Sequence, residues 1–194
     1  VGYGAYKLLF KRPGEAAIAW IPADADFVMT LDTNPSERQL DTFRIIGDKL
    51  KEHGLIQKLD SFLSEVMRDV PVAQKLRPYV AGSYAFAAWT PDSGNGSFKG
   101  LALVALDNAG GADSTIRESG SANADGVVKF SDQVFVKVID PYLIIASDES
   151  LIQKVEGVLD GKSASLAKDA GFIAARKSLP VDTKLMYFID GRIF

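Results

Sequence analysis

The feature that most constrains the fold is a series of short strand-like runs between residues 83 and 146, each bounded by turn residues. Runs rich in β-branched and aromatic residues, separated by Gly, Pro, Asn and Asp, are typical of antiparallel strands joined by tight turns. A polar loop at 91–97 predicts a hairpin, and Asp140-Pro141 predicts a second tight turn. The runs are residues 83–90, 98–106, 127–130, 133–139 and 142–146.

Helical periodicity lies on both sides of these strands. A strand at 25–32 is followed by amphipathic patterns at about 36–53 and 55–68 and by a short helix at 71–76. Helices at about 148–160 and 166–178 precede a last strand at 184–190. The order of strand, helices, strand meander, helices and strand predicts an α+β fold, in which helices pack on one face of an antiparallel sheet.

The segment 108–126 interrupts the strand series. It is low in hydrophobic residues and rich in Gly, Ala, Ser and Asp. This composition predicts an exposed loop around one short strand near Ile116.

Two segments of the chain echo each other. Residues 21–32 and 179–190 each contain Pro-x-Asp, then an apolar run that ends in Asp. The identical pairs, at one constant offset, are Pro22/Pro180, Asp24/Asp182 and Asp32/Asp190. The echo predicts an arm at 1–15, an α+β domain at 16–178 and the first strand of a second repeat unit at 179–194. The alternative is two unrelated strands that share a common turn.

The first ten residues are apolar, contain tyrosines, and precede the basic pair Lys11-Arg12. Tyrosines at the headgroup level followed by basic residues are typical of the end of a membrane-spanning helix. The segment 1–10 therefore predicts the end of a membrane anchor, and the alternatives are a strand or an ordered arm.

Composition narrows the chemistry that the chain can perform. It has no cysteine and a single histidine, His53, which excludes disulfides, thiolate zinc sites and multi-histidine metal sites. The net charge is −3, and basic residues are scattered among acidic ones. We therefore expect no nucleic-acid partner.

Short motif matches do not add a catalytic site. Gly161-Lys162-Ser163 lacks the upstream glycine of a P-loop, because Glu156 occupies that position. Ser165 and Lys168 match a Ser-x-x-Lys pattern whose companion motifs are missing. His53 is the only candidate base for a Ser-His-Asp triad, and no nucleophile-elbow sequence accompanies it.

Two further groups of residues are candidate binding sites. Asp107, Asn108 and Asp113 are a candidate calcium site, although their spacing does not fit an EF-hand. The aromatic residues Tyr79, Tyr84 and Trp89 around the first hairpin strand are interpreted first as core packing, with a partner surface as the alternative. We expect no catalytic residue, no bound metal and no cofactor.

A resemblance to a known family rests on several motifs spread over nearly the whole chain. They are Ile21-Pro22-Ala23-Asp24 before a strand that ends Leu31-Asp32-Thr33-Asn34-Pro35; Leu76-Arg77-Pro78-Tyr79-Val80-Ala81-Gly82; Tyr142-Leu143-Ile144-Ile145-Ala146-Ser147; and Ser165-Leu166-Ala167 followed by Phe172 and Leu179-Pro180. With these motifs the chain resembles the bacterial DUF3352 family, a domain of unknown function. Tyr79 stands where such families usually carry tryptophan.

The resemblance implies a protein outside the cytoplasm, held on a bacterial membrane by an N-terminal lipid or helix anchor, with further domain sequence beyond residue 194. It implies no activity and no functional residue. We expect a non-catalytic module that acts through protein–protein contacts with another envelope or membrane protein, or as a structural subunit. The alternative is a carrier of an apolar ligand or lipid in a cleft between sheet and helices. A hydrolase that uses His53 is a third hypothesis.

Overall fold

Seven strands and four α-helices make up the part of the chain that the computed structural model describes, which is residues 16–32, 72–90, 99–179 and 185–189. The strands are β1 (Phe27–Asp32), β2 (Val80–Trp89), β3 (Lys99–Leu106), β4 (Val128–Ser131), β5 (Val134–Ile139), β6 (Tyr142–Ala146) and β7 (Leu185–Ile189). The helices are α1 (Ala73–Leu76), α2 (Ala109–Ser119), α3 (Glu149–Leu159) and α4 (Ala170–Lys177).

All seven strands belong to one sheet, in the order β4-β5-β6-β3-β2-β1-β7. Every neighbouring pair is antiparallel. β5 and β6 are joined at Asp140-Pro141, which is a cis peptide bond, and their register places Ile139 opposite Tyr142. The predicted α+β class, with an antiparallel meander between helical segments, is confirmed.

The first face of the sheet carries the larger core. Alternate residues of a strand point to the same face, so Leu101, Leu103 and Ala105 of β3 all enter this core. Helix α3 covers it with Leu151, Ile152 and Val155. Helix α4 and the 3₁₀ turns Ile18–Trp20 and Leu166–Lys168 contribute further side chains, among them Ile18, Trp20, Leu166 and Phe172.

The second face carries a separate core. Val104 and Leu106 of β3, which alternate with the residues of the first face, pack here against helix α2 through Ala112 and Ile116. Leu76 at the end of α1 joins the same cluster. The described helices therefore pack on both faces of the sheet, whereas the sequence analysis expected them on one. β3 and β6 are apolar on both faces, which is the pattern of a strand covered on both sides.

Helix α2 corrects the interpretation of 108–126 as a loop with a short strand. Ile116 lies in this helix, and its side chain is 1% exposed. Asn108 caps the helix, because its Oδ1 accepts a hydrogen bond from the Gly111 backbone N–H at 2.9 Å. Gly110 and most of the polar residues lie on the solvent side, while Ala112 and Ile116, four residues apart, reach the core on one side. The helix is amphipathic, but its apolar stripe is so narrow that the composition of the segment does not indicate it.

The predicted helix at 148–160 is confirmed as α3, capped by Asp148, whose Oδ1 accepts from the Ser150 N–H at 2.8 Å. The predicted helix at 166–178 is divided. A 3₁₀ turn, Leu166–Lys168, comes first, and α4 begins after Asp169, which is extended at φ −68° and ψ 130°. The Asp169 carboxylate accepts from the Phe172 N–H at 2.7 Å and so caps α4.

The last strand, β7, pairs with β1 in the same sheet. Its Met186 and Phe188 extend the first-face core, and the Phe188 ring meets the Phe172 ring of α4 edge-on at 5.3 Å between centroids. The expectation that 179–194 begins a second repeat unit stays a prediction, and β7 itself packs as part of the sheet that β1 belongs to.

Several expectations lie outside the described residues. They are the arm or anchor at 1–15, the helices at about 36–53 and 55–68 with His53, and the hairpin loop at 91–97. Within the described ranges, no helix combines the length and the apolar character needed to cross a membrane.

Candidate functional site

A groove of about 410 Å³ opens beside the loop that precedes β1. Asp24, Lys154 and Asp169 supply its charged groups, and Pro22, Ala23, Ser163 and Ala164 supply the rest of its lining. The groove exists because Ile21 and Ala23 are tied to the segment after α3. The Ala23 N–H donates to the Ala164 carbonyl at 2.9 Å, and the Leu166 N–H donates to the Ile21 carbonyl at 2.8 Å.

Asp24 is the centre of this groove. Its Oδ1 accepts a hydrogen bond from the Trp89 indole N–H at 3.1 Å, and its Oδ2 accepts from the Lys154 ammonium at 2.6 Å. Lys154 Nζ also lies 5.3 Å from the centroid of the Trp89 ring, within reach of a cation–π interaction. Burial raises the pKa of Asp24, but the hydrogen bonds from Lys154 and Trp89 outweigh that effect and hold the pKa below its ordinary value.

The charged groups of this groove all have partners within the fold. Asp24 is shared between Trp89 and Lys154, and the Asp169 Oδ1 is the cap of α4. This arrangement fastens α3 and the end of β2 to the loop before β1. Such a cluster acts as an electrostatic clamp between these elements.

The candidate calcium site is not assembled as a loop of three ligands. Asn108 uses its side-chain oxygen to cap α2, and Asp113 lies inside that helix, where it pairs with Arg117 at 2.8 Å. No group of three or more His, Cys, Asp or Glu residues close enough to hold a metal ion occurs among the described residues.

The structure separates the three aromatic residues proposed as a partner surface. Trp89 is 8% exposed and lies in the first-face core. Tyr79 and Tyr84 are half-buried on the second face, where they pack against the core formed with α2. The expectation that one of them contacts a partner stays a prediction, but the three do not form one surface.

A second candidate surface is the outer edge of β7, here called the β7 edge. In the described structure, β7 pairs with β1 on one side and with no strand on the other. Its residues are Leu-Met-Tyr-Phe-Ile, without a charge, a proline or a glycine. Tyr187 is 55% exposed and Ile189 is 36% exposed. A strand of this kind presents unpaired backbone groups together with apolar side chains.

The opposite edge of the sheet is protected. β4 has four residues, and its pairing with β5 shifts register between Lys129 and Ser131. Ala122 forms a β-bridge with Val128, so a loop covers the start of its outer side. Lys129 adds a charge and pairs with Asp132 at 2.7 Å. Bulges, charges and covering loops are the usual devices that keep a sheet edge from pairing with another chain, and in the described structure β4 has all three.

Comparisons with protein-family models, with curated proteins and with solved structures found no match. The resemblance to the DUF3352 family is not tested by them and stays a prediction.

Proposed function

We propose that this chain is a non-catalytic module of a bacterial cell envelope that acts by protein–protein contact, and that the β7 edge is the contact surface. One observation carries the proposal, which is the contrast between the two ends of the sheet. The β4 end has a bulge, a charge and a covering loop, whereas the β7 end has five uncharged residues, with Tyr187 largely in solvent.

The physical reason is that pairing with another strand lowers the free energy of an unpaired edge strand. Unpaired N–H and C=O groups along an edge gain hydrogen bonds when a second strand is added, and alternate side chains then supply specificity. Tyr187 and Ile189 expose apolar surface to water, and burial of that surface on pairing adds a second favourable contribution to the free energy. An edge that is both unpaired and apolar favours the addition of a strand.

The packing of the described core favours this function over carriage of an apolar ligand. Side chains fill the space between sheet and helices on the first face, where Tyr142, Ile144, Leu151 and Ile152 are each at most 1% exposed. The Trp20 and Tyr142 rings meet edge-on with centroids 4.9 Å apart. Envelope location and membrane anchoring are supported by the sequence alone, through the apolar segment 1–10 and the family resemblance.

Site-specific photo-crosslinking tests the proposal. A photo-reactive amino acid replaces Tyr187 in one variant and Lys129, on the β4 edge, in a matched control, and both are expressed in the cells that make the protein. We expect a discrete adduct from position 187, recovered in the membrane fraction, and none from position 129. The absence of any adduct at position 187, or the same adducts at both positions, would contradict the proposal.

A further inference from the structure

Helix α4 leaves apolar side chains in water, although it packs on the first face of the sheet. Phe172 reaches the core and is 5% exposed. Ile173, beside it, and Leu179, just after the end of the helix, are each 37% exposed. Ala174 and Ala175 are exposed between them. Two large apolar side chains therefore lie close together in sequence on the outside of this layer.

Basic side chains accompany this apolar surface. Lys168 precedes α4 and Lys177 is its last residue, and both are exposed. Neither takes part in an ion pair within the described part of the chain. The segment 166–179 has three basic residues and one acidic residue, Asp169, in a chain whose net charge is −3. Apolar and basic side chains on one short helix are typical of contact with an anionic lipid surface.

The place of α4 in the fold puts this surface near the predicted membrane anchor. The Ser165 hydroxyl, in the segment that leads into α4, donates to the Ala19 carbonyl at 2.9 Å, so α4 and the start of the described chain lie in one layer. Only residues 11–15 separate the predicted anchor at 1–10 from Ala16. Even fully extended, a connection of that length spans no more than about 20 Å. An anchor at 1–10 therefore holds this layer of the domain close to the bilayer.

We propose that α4 is a bilayer contact, in which Ile173 and Leu179 enter the interface of an anionic membrane and Lys168 and Lys177 bind lipid phosphates. The inference rests on the membrane location in the proposed function, but it concerns a different surface from the β7 edge. Two part-exposed apolar side chains and two ammonium groups supply only a weak attraction. The contact therefore orients a domain that the anchor already holds at high local concentration.

Such a contact also sets where the β7 edge faces. The Phe172 ring of α4 packs against the Phe188 ring of β7, with centroids 5.3 Å apart. A domain that rests on α4 therefore presents the β7 edge beside the bilayer, where another membrane protein can reach it.

An environment-sensitive fluorescent probe on α4 tests the contact. The chain has no cysteine, so Ile173→Cys provides a single labelling site in the full 194-residue chain. Lys75→Cys is the control position, because Lys75 is exposed on α1, which packs on the second face. Each labelled chain is mixed with vesicles of phosphatidylcholine and phosphatidylglycerol. We expect a blue-shifted emission and quenching by spin-labelled lipid at position 173, and neither at position 75, because tethering by 1–10 alone leaves both probes in water.

Charge reversal tests the role of the basic residues. Lys177→Glu and Lys75→Glu change the net charge equally, and each lysine lies in the last turn of its helix. In the chain labelled at position 173, we expect Lys177→Glu to lower the ratio of lipid-contacting to free probe at least about fivefold, and Lys75→Glu to leave it unchanged. Circular dichroism checks that each variant is folded. Equal quenching at positions 173 and 75, or equal effects of the two reversals, would overturn the inference.

The two proposals fail separately. A photo-crosslink from position 187 without lipid contact at position 173 supports the proposed function and overturns the bilayer inference. Lipid contact at position 173 without an adduct from position 187 supports the bilayer inference and contradicts the β7 edge as the contact surface. If neither position gives a signal, both proposals fall.

Discussion

Trp89 shows at the scale of a single residue how a sheet distributes side chains that are close in sequence. Tyr84 and Trp89 are five positions apart on β2, and an odd spacing places them on opposite faces. Trp89 consequently enters the first-face core, where its indole N–H donates to Asp24. Clustering in sequence therefore did not produce a common surface. The strand period, applied to positions 84 and 89, would have separated them in advance.

The Asp24 clamp has a pH dependence with a definite sign. The pKa of Asp24 in the folded chain lies below its ordinary value of 3.8. Its charge therefore stabilises the fold above that value, and the stabilisation is lost as the pH falls through the lower, folded pKa. Urea unfolding should show Asp24→Asn to be less stable than the unmodified chain at about pH 7, with the difference shrinking below about pH 4.

Exposure to solvent limits the stability difference between Asp24→Asn and the unmodified chain, because water screens the ion pair. The Asp24 side chain is 58% exposed and that of Lys154 is 42% exposed, so we expect a difference below about 1 kcal/mol at neutral pH. A Lys154→Met background is the control, because Asp24→Asn should cost less once the ammonium is gone. A cost that is the same at both pH values would mean that the Asp24 charge does not stabilise the fold.

At the scale of elements, α2 shows where composition misleads. Gly110 and Gly111 indicate a loop by propensity, since glycine costs about 1 kcal/mol in a helix interior. The structure has a helix because Asn108 caps it and because Ala112 and Ile116 bury their side chains against the sheet. Tertiary burial of a narrow stripe outweighs weak local propensity.

The two adjacent glycines of α2 provide a matched pair of substitutions. A Cβ on Gly110 would meet nothing closer than 3.8 Å, whereas a Cβ on Gly111 would lie 2.7 Å from Cε1 of the Tyr79 ring. We expect Gly110→Ala to raise the free energy of unfolding by about 0.5 kcal/mol. Gly111→Ala should lower it by about 1–3 kcal/mol, because the ring or the Asn108 cap must shift. Chemical denaturation measures both, and equal stabilisation by the two would show that Tyr79 does not pack over Gly111.

At the scale of the whole molecule, β7 ties the end of the described chain to its beginning. It pairs with β1, and Met186 contributes to the same core as Leu101 and Ile144. A repeat boundary near residue 178 and membership of one sheet are compatible, because a strand can begin a new unit and also complete the edge of the preceding one.

Truncation of two neighbouring β7 side chains distinguishes a structural role from a surface role. Met186 is 5% exposed, and Met186→Ala should lower the free energy of unfolding of the whole domain by about 2–5 kcal/mol. Tyr187 is 55% exposed, and Tyr187→Ala should change it by less than about 1 kcal/mol. Urea unfolding followed by both tryptophan fluorescence and circular dichroism should give one coincident transition. A main transition that Met186→Ala leaves unchanged would show that β7 is not part of the cooperative unit.

The sequence by itself determined the fold class, the strands of the meander, the turn at Asp140-Pro141 and the helix at 148–160, because periodicity and turn chemistry act over a few neighbouring residues. It left the cap of that helix open between Ser147 and Asp148, and the structure has Asp148. Only the tertiary structure decided that helices cover both faces and that 109–119 is helical. It alone placed Met29 opposite Tyr187 and, among the described residues, left the β7 edge without a strand partner while β4 is protected. These outcomes depend on which strands become neighbours, and that is set by the burial of distant apolar residues together.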